Sequence, residues 1–293
     1  MIKVGIIGYG EAGSNMAAGL RGEGVAVSAY DLKFAEPEPF ARMSAHAAGH
    51  GVELAADVAG CVAGADVVFS LVDTGAMDDA ANSAAPHLVQ GQLYVDLNSG
   101  GPGAKRRVSD IVARTAAEMV DGAVMADVPP TQHRTPILAA GPAARRFTDL
   151  ANGAGMKVEA FAEEVGLASA NKMLRSVLMK GISSLILEFA LAAEKFGATE
   201  DILRSVGGSI GMDLLGYADR AGARQLQHSG RRSHEMAEVA ITLREVGVEP
   251  LMSAACAEQL ERFVAAGANA GLAAACPADL AATVAILREK GFS

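Results

Sequence analysis

The segment Ile2 to Gly13, IKVGIIGYGEAG, constrains the fold more than any other stretch. A β-branched run, Ile2 to Ile7, leads into the glycines Gly8, Gly10 and Gly13, and SNMAAGLRGEG with helical character follows. Strand, glycine turn and helix in that order form the G-x-G-x-x-G arrangement of a dinucleotide-binding βαβ unit. Each glycine has its own reason. Gly8 permits the tight turn, Gly10 lets a pyrophosphate approach the backbone, and Gly13 lets the helix pack close to the strand. The phosphates would rest on the exposed N–H groups and positive dipole end of that helix. Tyr9, Glu11 and Ala12 belong to the same turn and join the cofactor-binding candidates. The bland reading is an ordinary Gly-rich turn.

The alternation continues. Val25 to Tyr30 reads as a strand ending in Asp31, where a carboxylate can hold the ribose hydroxyls and repel a 2′-phosphate. This favours NAD, with NADP left possible because Lys33 could reach a phosphate. Asp31 could also be a plain strand-end turn residue. Phe34 to Gly51 suggests a loop and a short helix, and a short strand is expected near Val52 to Leu54. Ala65 to Val72 is a continuous apolar run, the mark of a buried parallel strand. Its end, with Leu71 and Val72, should lie at the cofactor edge. Leu93 to Leu97 is followed by Asn98 and Ser99, which could face the nicotinamide or substrate; for Ser99 a helix cap is the alternative. A helix over Pro102 to Glu118 follows, then strands at Met119 to Met125, Pro136 to Ala140 and Met156 to Phe161, with a helix at Ala143 to Asn152.

Val165 to Gly197 contains no proline, and its apolar residues recur at helical spacing. About 30 residues would span roughly 45 Å, enough to leave one domain and enter the next. After it no strand is evident. Helices are expected at Thr199 to Val206, Met212 to Ala221, Ser233 to Val246, Glu249 to Ala266 and Pro277 to Gly291, with Arg220 to Arg232 as a long polar loop. The reading is a Rossmann-type α/β domain over 1–163 and an all-α domain over 164–293, joined by a long helix at about 166–196.

A length of 293 residues fits two domains. The longest apolar runs are broken, as by Glu188, and fall short of the ~20 residues of a membrane span. The start lacks the features of a signal peptide. Cys61, Cys256 and Cys276 lack metal-ligand spacing. No metal and a cytoplasmic location are therefore expected. A net charge of −9 and the absence of Trp argue against nucleic-acid binding. The local cluster Arg231, Arg232, His234 could still meet an anion or simply open a solvated helix.

Five blocks in order resemble the β-hydroxyacid dehydrogenase superfamily, which includes 3-hydroxyisobutyrate and 6-phosphogluconate dehydrogenases. GYGEAGSNMAAGL is similar to G-x-G-x-M-G-x-x-M-A-x-N-L, with Ala12 for Met. DLNSGGPG resembles D-x-S-T-x-S-P. VDGAVM resembles the substrate motif D-A-P-V-S-G-G, with Met125, Ala126 and Asp127 in place of its serine and glycines. HRTPILAAGP resembles A-G-T-L-x-x-x-x-G-G, and GLASANK resembles G-x-G-x-x-x-K, whose lysine is catalytic. The asparagine expected four residues after that lysine is Ser176. These departures, with VPPTQHRTP and Lys180-Gly181, resemble a divergent bacterial branch with a little-characterised helical domain.

The resemblance implies an NAD(P)-dependent dehydrogenase of a hydroxylated acid, with Lys172 as general acid/base. Such a lysine needs a pKa brought toward the working pH. Burial, a helix N-terminus and the second cation Lys180 would push it down. The bland alternative is a snorkelling surface lysine. Substrate-binding candidates are Met125, His133, Arg134, Ser169, Ser176, Lys180 and His234. His133 and Arg134 could equally face solvent, and His234 with Glu238 could be a surface pair. An imine or other carbonyl reductase and a non-catalytic dinucleotide sensor are the competing functions. The Ala-rich C-terminal helices suggest a homodimer through that domain, as is typical of the family.

Overall fold

The computed structural model describes residues 2–272 and 275–292. Its first part contains β1 (Lys3–Ile7), α1 (Glu11–Gly22), β2 (Ala26–Tyr30), α2 (Pro37–His50), β3 (Glu53–Leu54), α3 (Val58–Val62), β4 (Val67–Ser70), α4 (Met77–Ala84), β5 (Leu93–Asp96), α5 (Pro102–Val112), β6 (Glu118–Val124), β7 (Pro136–Ala140), α6 (Ala144–Gly153) and β8 (Lys157–Ala162). Each strand falls on a run read as a strand from sequence. In β4 and β5 the reason is burial on both faces: they are buried along their whole length, so apolar residues run without alternation up to Ser70 and Asp96 at their ends.

The strands form one sheet ordered β3-β2-β1-β4-β5-β6-β7-β8. Pairing is parallel except between β6 and β7. The chain winds outward from β1 in one direction and from β4 in the other. Open α/β sheets bind ligands beyond the strand ends at such a switch point. One face of the sheet packs Val4, Ile6, Phe69 and Val95 against Met16, Leu20, Ala47 and Phe147 of α1, α2 and α6. The other packs Val68 and Tyr94 against Cys61, Met77, Ala81 and Val108 of α3, α4 and α5. Helices α2 and α5 begin with Pro37 and Pro102, where no backbone N–H is needed. α2 is a full helix where the sequence suggested a loop and a short one. α5 stops at Val112, short of the expected Glu118, which already belongs to β6.

The rest is helical: α7 (Leu167–Glu194), α8 (Thr199–Ile210), α9 (Leu214–Gln227), α10 (Ser229–Glu245), α11 (Leu251–Ala265) and α12 (Leu280–Glu289). The compact units are Met1–Lys172 and Met173–Ser293, so the division falls inside α7 and not at 163/164. The start of α7 goes with the sheet because Ala168 packs on Ala123 and Ala140. The second unit has its own core, including Leu187, Ala190, Leu226, Met236, Leu260 and Leu287.

Two expectations need correction. The loop expected over Arg220 to Arg232 is helix on both sides of His228. Gln225 there is fully buried. It accepts from Arg232 at 2.6 Å and donates to the Ser184 hydroxyl at 2.9 Å, so its polarity marks internal pairing and not solvent. α7 is also, by length and composition alone, long and apolar enough to cross a membrane. Its Met173, Ile186, Leu187 and Ala190 side chains are instead committed to the core of the helical unit.

Candidate active site

The glycine turn has the shape its sequence predicts. Gly8 has φ +98°, and a Cβ there would lie 2.2 Å from the Leu71 carbonyl oxygen. A Cβ on Gly13 would lie 2.0 Å from the Gly8 carbonyl oxygen. Gly10 is different: it is exposed, and nothing lies within 4 Å of where its Cβ would be. The start of α1 has no side-chain cap. Its first N–H groups therefore lack intrahelical partners beside an open face. Room over Gly10 and unspent donors suit the diphosphate of a dinucleotide.

Asp31 serves the turn and the strand end together. One oxygen accepts from Tyr9 N at 2.7 Å and the other from Lys33 N at 2.9 Å. The turn role of Asp31 is thus observed, and each oxygen keeps a lone pair for a ribose hydroxyl. Tyr9 takes part through its backbone. Its ring is buried, its hydroxyl meets His46 Nδ1 at 3.0 Å, and burial pushes its pKa up to about 12.

Val72 and Asn98 join the ends of β4 and β5. Val72 N donates to Asn98 Oδ1 at 2.6 Å, and Asn98 Nδ2 donates to Ser70 Oγ at 3.0 Å. Asn98 is buried, so it braces the crevice floor more than it faces a ligand. Ser99 is not a cap; Gly101 takes that position on α5. The Ser99 hydroxyl instead accepts from Lys172 Nζ at 2.8 Å. Lys172 is half-buried. The bond ties the amine to the carboxyl end of β5, where open α/β sheets carry their chemistry. The D-x-S-T resemblance already pointed to Ser99, but the capping rule drew attention away from it.

Other candidates are placed differently. Ser169 is buried, donates from its backbone to Asp121 Oδ2 at 3.1 Å and from its hydroxyl to the Gly166 carbonyl at 2.9 Å. It secures the first turn of α7. His133 and Arg134 stand against the C-terminal half of α1, away from the glycine turn. A Cβ on Gly19 would fall 2.1 Å from His133 Nδ1, and His133 Nε2 lies 3.5 Å from Glu23. Arg134 pairs with the same carboxylate at 2.5 Å. His133 is held in a packing contact, whereas Arg134 is exposed, in line with the solvent-facing alternative. Burial pushes the His133 pKa down, Glu23 opposes this, and Arg134 adds to it. Met125 is half-buried against the Ala123, Ala140 and Ala168 cluster.

In the helical unit, Lys180 donates to Ser176 Oγ at 3.1 Å and pairs with Glu235 at 2.7 Å. Burial lowers its pKa, Glu235 raises it, and Arg232 and Arg231 lower it further. Its charge is matched by Glu235. His234 is exposed on α10. Sequence reasoning passed over Asp121 and Lys105, which lie behind the site. Lys105 is fully buried, and its depth was invisible in a helix of mixed polarity.

Residues 3–151 match the family described as the NAD binding domain of 6-phosphogluconate dehydrogenase, and residues 193–263 match a domain of unknown function, DUF1932. A conserved hypothetical protein from Sinorhizobium meliloti is 40% identical, with 99% of this chain and 97% of that one covered at a TM-score of 0.80. The 3-hydroxyisobutyrate dehydrogenase of Mycobacterium tuberculosis shares the fold at 18% identity, covering 98% of this chain and 99% of that one, with a TM-score of 0.79. The 2-(hydroxymethyl)glutarate dehydrogenase of Eubacterium barkeri is 30% identical over 127 residues, 42% of this chain and 40% of that protein.

Proposed function

Because the chain belongs to the β-hydroxyacid dehydrogenase superfamily, with the NAD binding domain of 6-phosphogluconate dehydrogenase as its first part, we propose that it oxidises a β-hydroxy acid, or reduces the matching carbonyl acid, with Lys172 as general acid/base. The bound nicotinamide supplies the hydride acceptor or donor. Everything else falls to the chain. The backbone around Gly10 receives the diphosphate, and Asp31 holds the ribose hydroxyls and favours NAD over NADP. In oxidation the Lys172 amine takes the proton from the substrate hydroxyl; in reduction its ammonium returns it.

The observation that carries this reading is the 2.8 Å hydrogen bond from Lys172 Nζ to Ser99 Oγ. It holds a flexible amine at the carboxyl end of β5. A positioned acid or base contributes about 10²–10⁴-fold to rate. A panel of β-hydroxy acids, assayed by NADH formation, tests the reading. Lys172→Ala should lower kcat on the best substrate by at least ~100-fold while cofactor affinity holds. Full turnover in that variant would remove Lys172 from the chemistry. A strong preference for NADP would remove the role given to Asp31.

The reading extends to a cytoplasmic homodimer assembled through the helical unit. Leu174, Leu178 and Leu185 on α7 are 52%, 66% and 51% exposed, a row of apolar side chains that a second copy would cover. A monomer by light scattering at micromolar concentration would refute this part.

A further inference from the structure

Behind the strand ends lies a charged group that the proposed chemistry does not use. Asp96 of β5 and Asp121 of β6 are register partners on adjacent parallel strands. Both carboxylates are fully buried. Two like charges side by side on adjacent strands repel, and burial removes the water that would screen them. Lys105 of α5, equally buried, fills the gap. Its Nζ lies 2.9 Å from Asp96 Oδ1 and 3.6 Å from Asp121 Oδ1, and it donates to the Asp96 carbonyl oxygen at 2.7 Å.

One lysine thus faces two carboxylates, and backbone donors add to it, while Asp96 Oδ2 and Asp121 Oδ1 accept no hydrogen bond. Asp96 Oδ1 accepts from Asn98 N at 2.9 Å. Asp121 Oδ2 accepts from Gly166 N at 3.0 Å and Ser169 N at 3.1 Å. These last two belong to the turn that opens α7, where unspent N–H groups and the positive end of the helix dipole meet. Gly166 has φ +102°, which a side chain would strain, and a Cβ there would press on Pro102 of α5 at 3.3 Å. The first turn of α7 is therefore fixed from two sides, by a buried charge and by close packing.

We infer that Asp121, itself fixed by Lys105, is the positioning residue that aims Lys172 at Ser99. Lys172 lies one turn beyond Ser169 on α7, so the direction of its side chain follows the anchoring of that turn. The same buried group holds Asn98, next to Ser99. Amine and hydroxyl are thus set by one ionic lock at the base of both elements. The functional weight of this inference rests on the reading of Lys172 as acid/base, but its test does not use turnover.

The lysines are reductively methylated with ¹³C-formaldehyde, and the Lys172 signal is assigned with Lys172→Arg. Ser99→Ala gives the position of that signal without the Ser99 contact. In Asp121→Asn the Lys172 signal should move to the Ser99→Ala position, and the Gly166 and Ser169 amides should exchange at least ~10-fold faster, the cost of weakening hydrogen bonds to a charged acceptor. NADH affinity should stay within about twofold, because the glycine turn is untouched. Asp121→Glu, which keeps the charge and changes its reach, should give a smaller shift in the same direction. It also stands in should the asparagine variant not fold. A Lys172 signal unmoved in a folded Asp121 variant would overturn the inference. So would a change spread over all lysine signals, because that reports general loosening. Lys172→Ala turnover separately tests the acid/base reading, so either idea can fail while the other stands.

Discussion

The two ends of α1 carry glycines put to opposite use. At its start, Gly10 faces open space, with nothing within 4 Å of an added Cβ. Toward its end, Gly19 is covered by the His133 imidazole, 2.1 Å from such an atom. One glycine leaves room for a ligand, and the other leaves room for the protein itself. Their residue type is the same, and so is their helix. What separates them is whether the chain returns to fill the gap. The loop between β6 and β7 returns at Gly19 and stays away from Gly10.

The sharpest way to break this comparison is Gly10→Val. The backbone there is ordinary, with φ −72°, so folding should be unaffected. NADH affinity should fall by about 100-fold, or ~2.7 kcal/mol, as read by fluorescence titration. A matching loss of thermal stability would show that Gly10 is a packing glycine after all. Gly19→Ala should do the reverse: leave cofactor affinity near wild type and cost about 1–3 kcal/mol in urea unfolding, as overpacking does. His133→Ala in the same chain should recover much of that cost, and simple additivity in this double-mutant cycle would mean the two do not touch.

The smallest effect is in pH. The folded protein holds the His133 pKa below its ordinary 6.5, chiefly through burial. Below that pH the unfolded chain takes up the proton more readily than the folded one. Stability from this group is therefore complete above about pH 6.5 and declines as pH falls. His46 is lowered too, by burial and by His50, and acts with the same sign. His133→Gln should flatten, without abolishing, the loss of stability between about pH 7 and pH 5. Identical slopes in the two proteins would place His133 outside the acid response.

The same contrast explains what could be read from sequence. Strands buried on both faces, β4 and β5 above all, leave near-continuous apolar runs and were visible for that reason. The glycine turn was visible because its spacing follows from the ligand it fits. Polar residues that satisfy one another inside the protein were not. Gln225 and Arg232 made a buried helical junction look like a loop. His133 was left open between substrate and solvent because the α1 surface that covers it, at Gly19, and its neighbour Glu23 lie more than 100 positions away in sequence. Ser99 fitted a cap rule, and only the fold brings Lys172 to it. Lys105 looked like any helix lysine until the acids of two strands were seen beside it.

The lock of Asp96, Lys105 and Asp121 also bears on how this chain can change by descent. Losing Lys105 alone would leave two facing carboxylates without a cation, and breaking a buried ion group of this kind costs about 3–5 kcal/mol. A typical domain holds only about 5–15 kcal/mol in all. An apolar trio of similar volume could be equally stable, yet each single step toward it passes through a poorly folded intermediate. The three positions should therefore be inherited as a block, changing together or staying as they are.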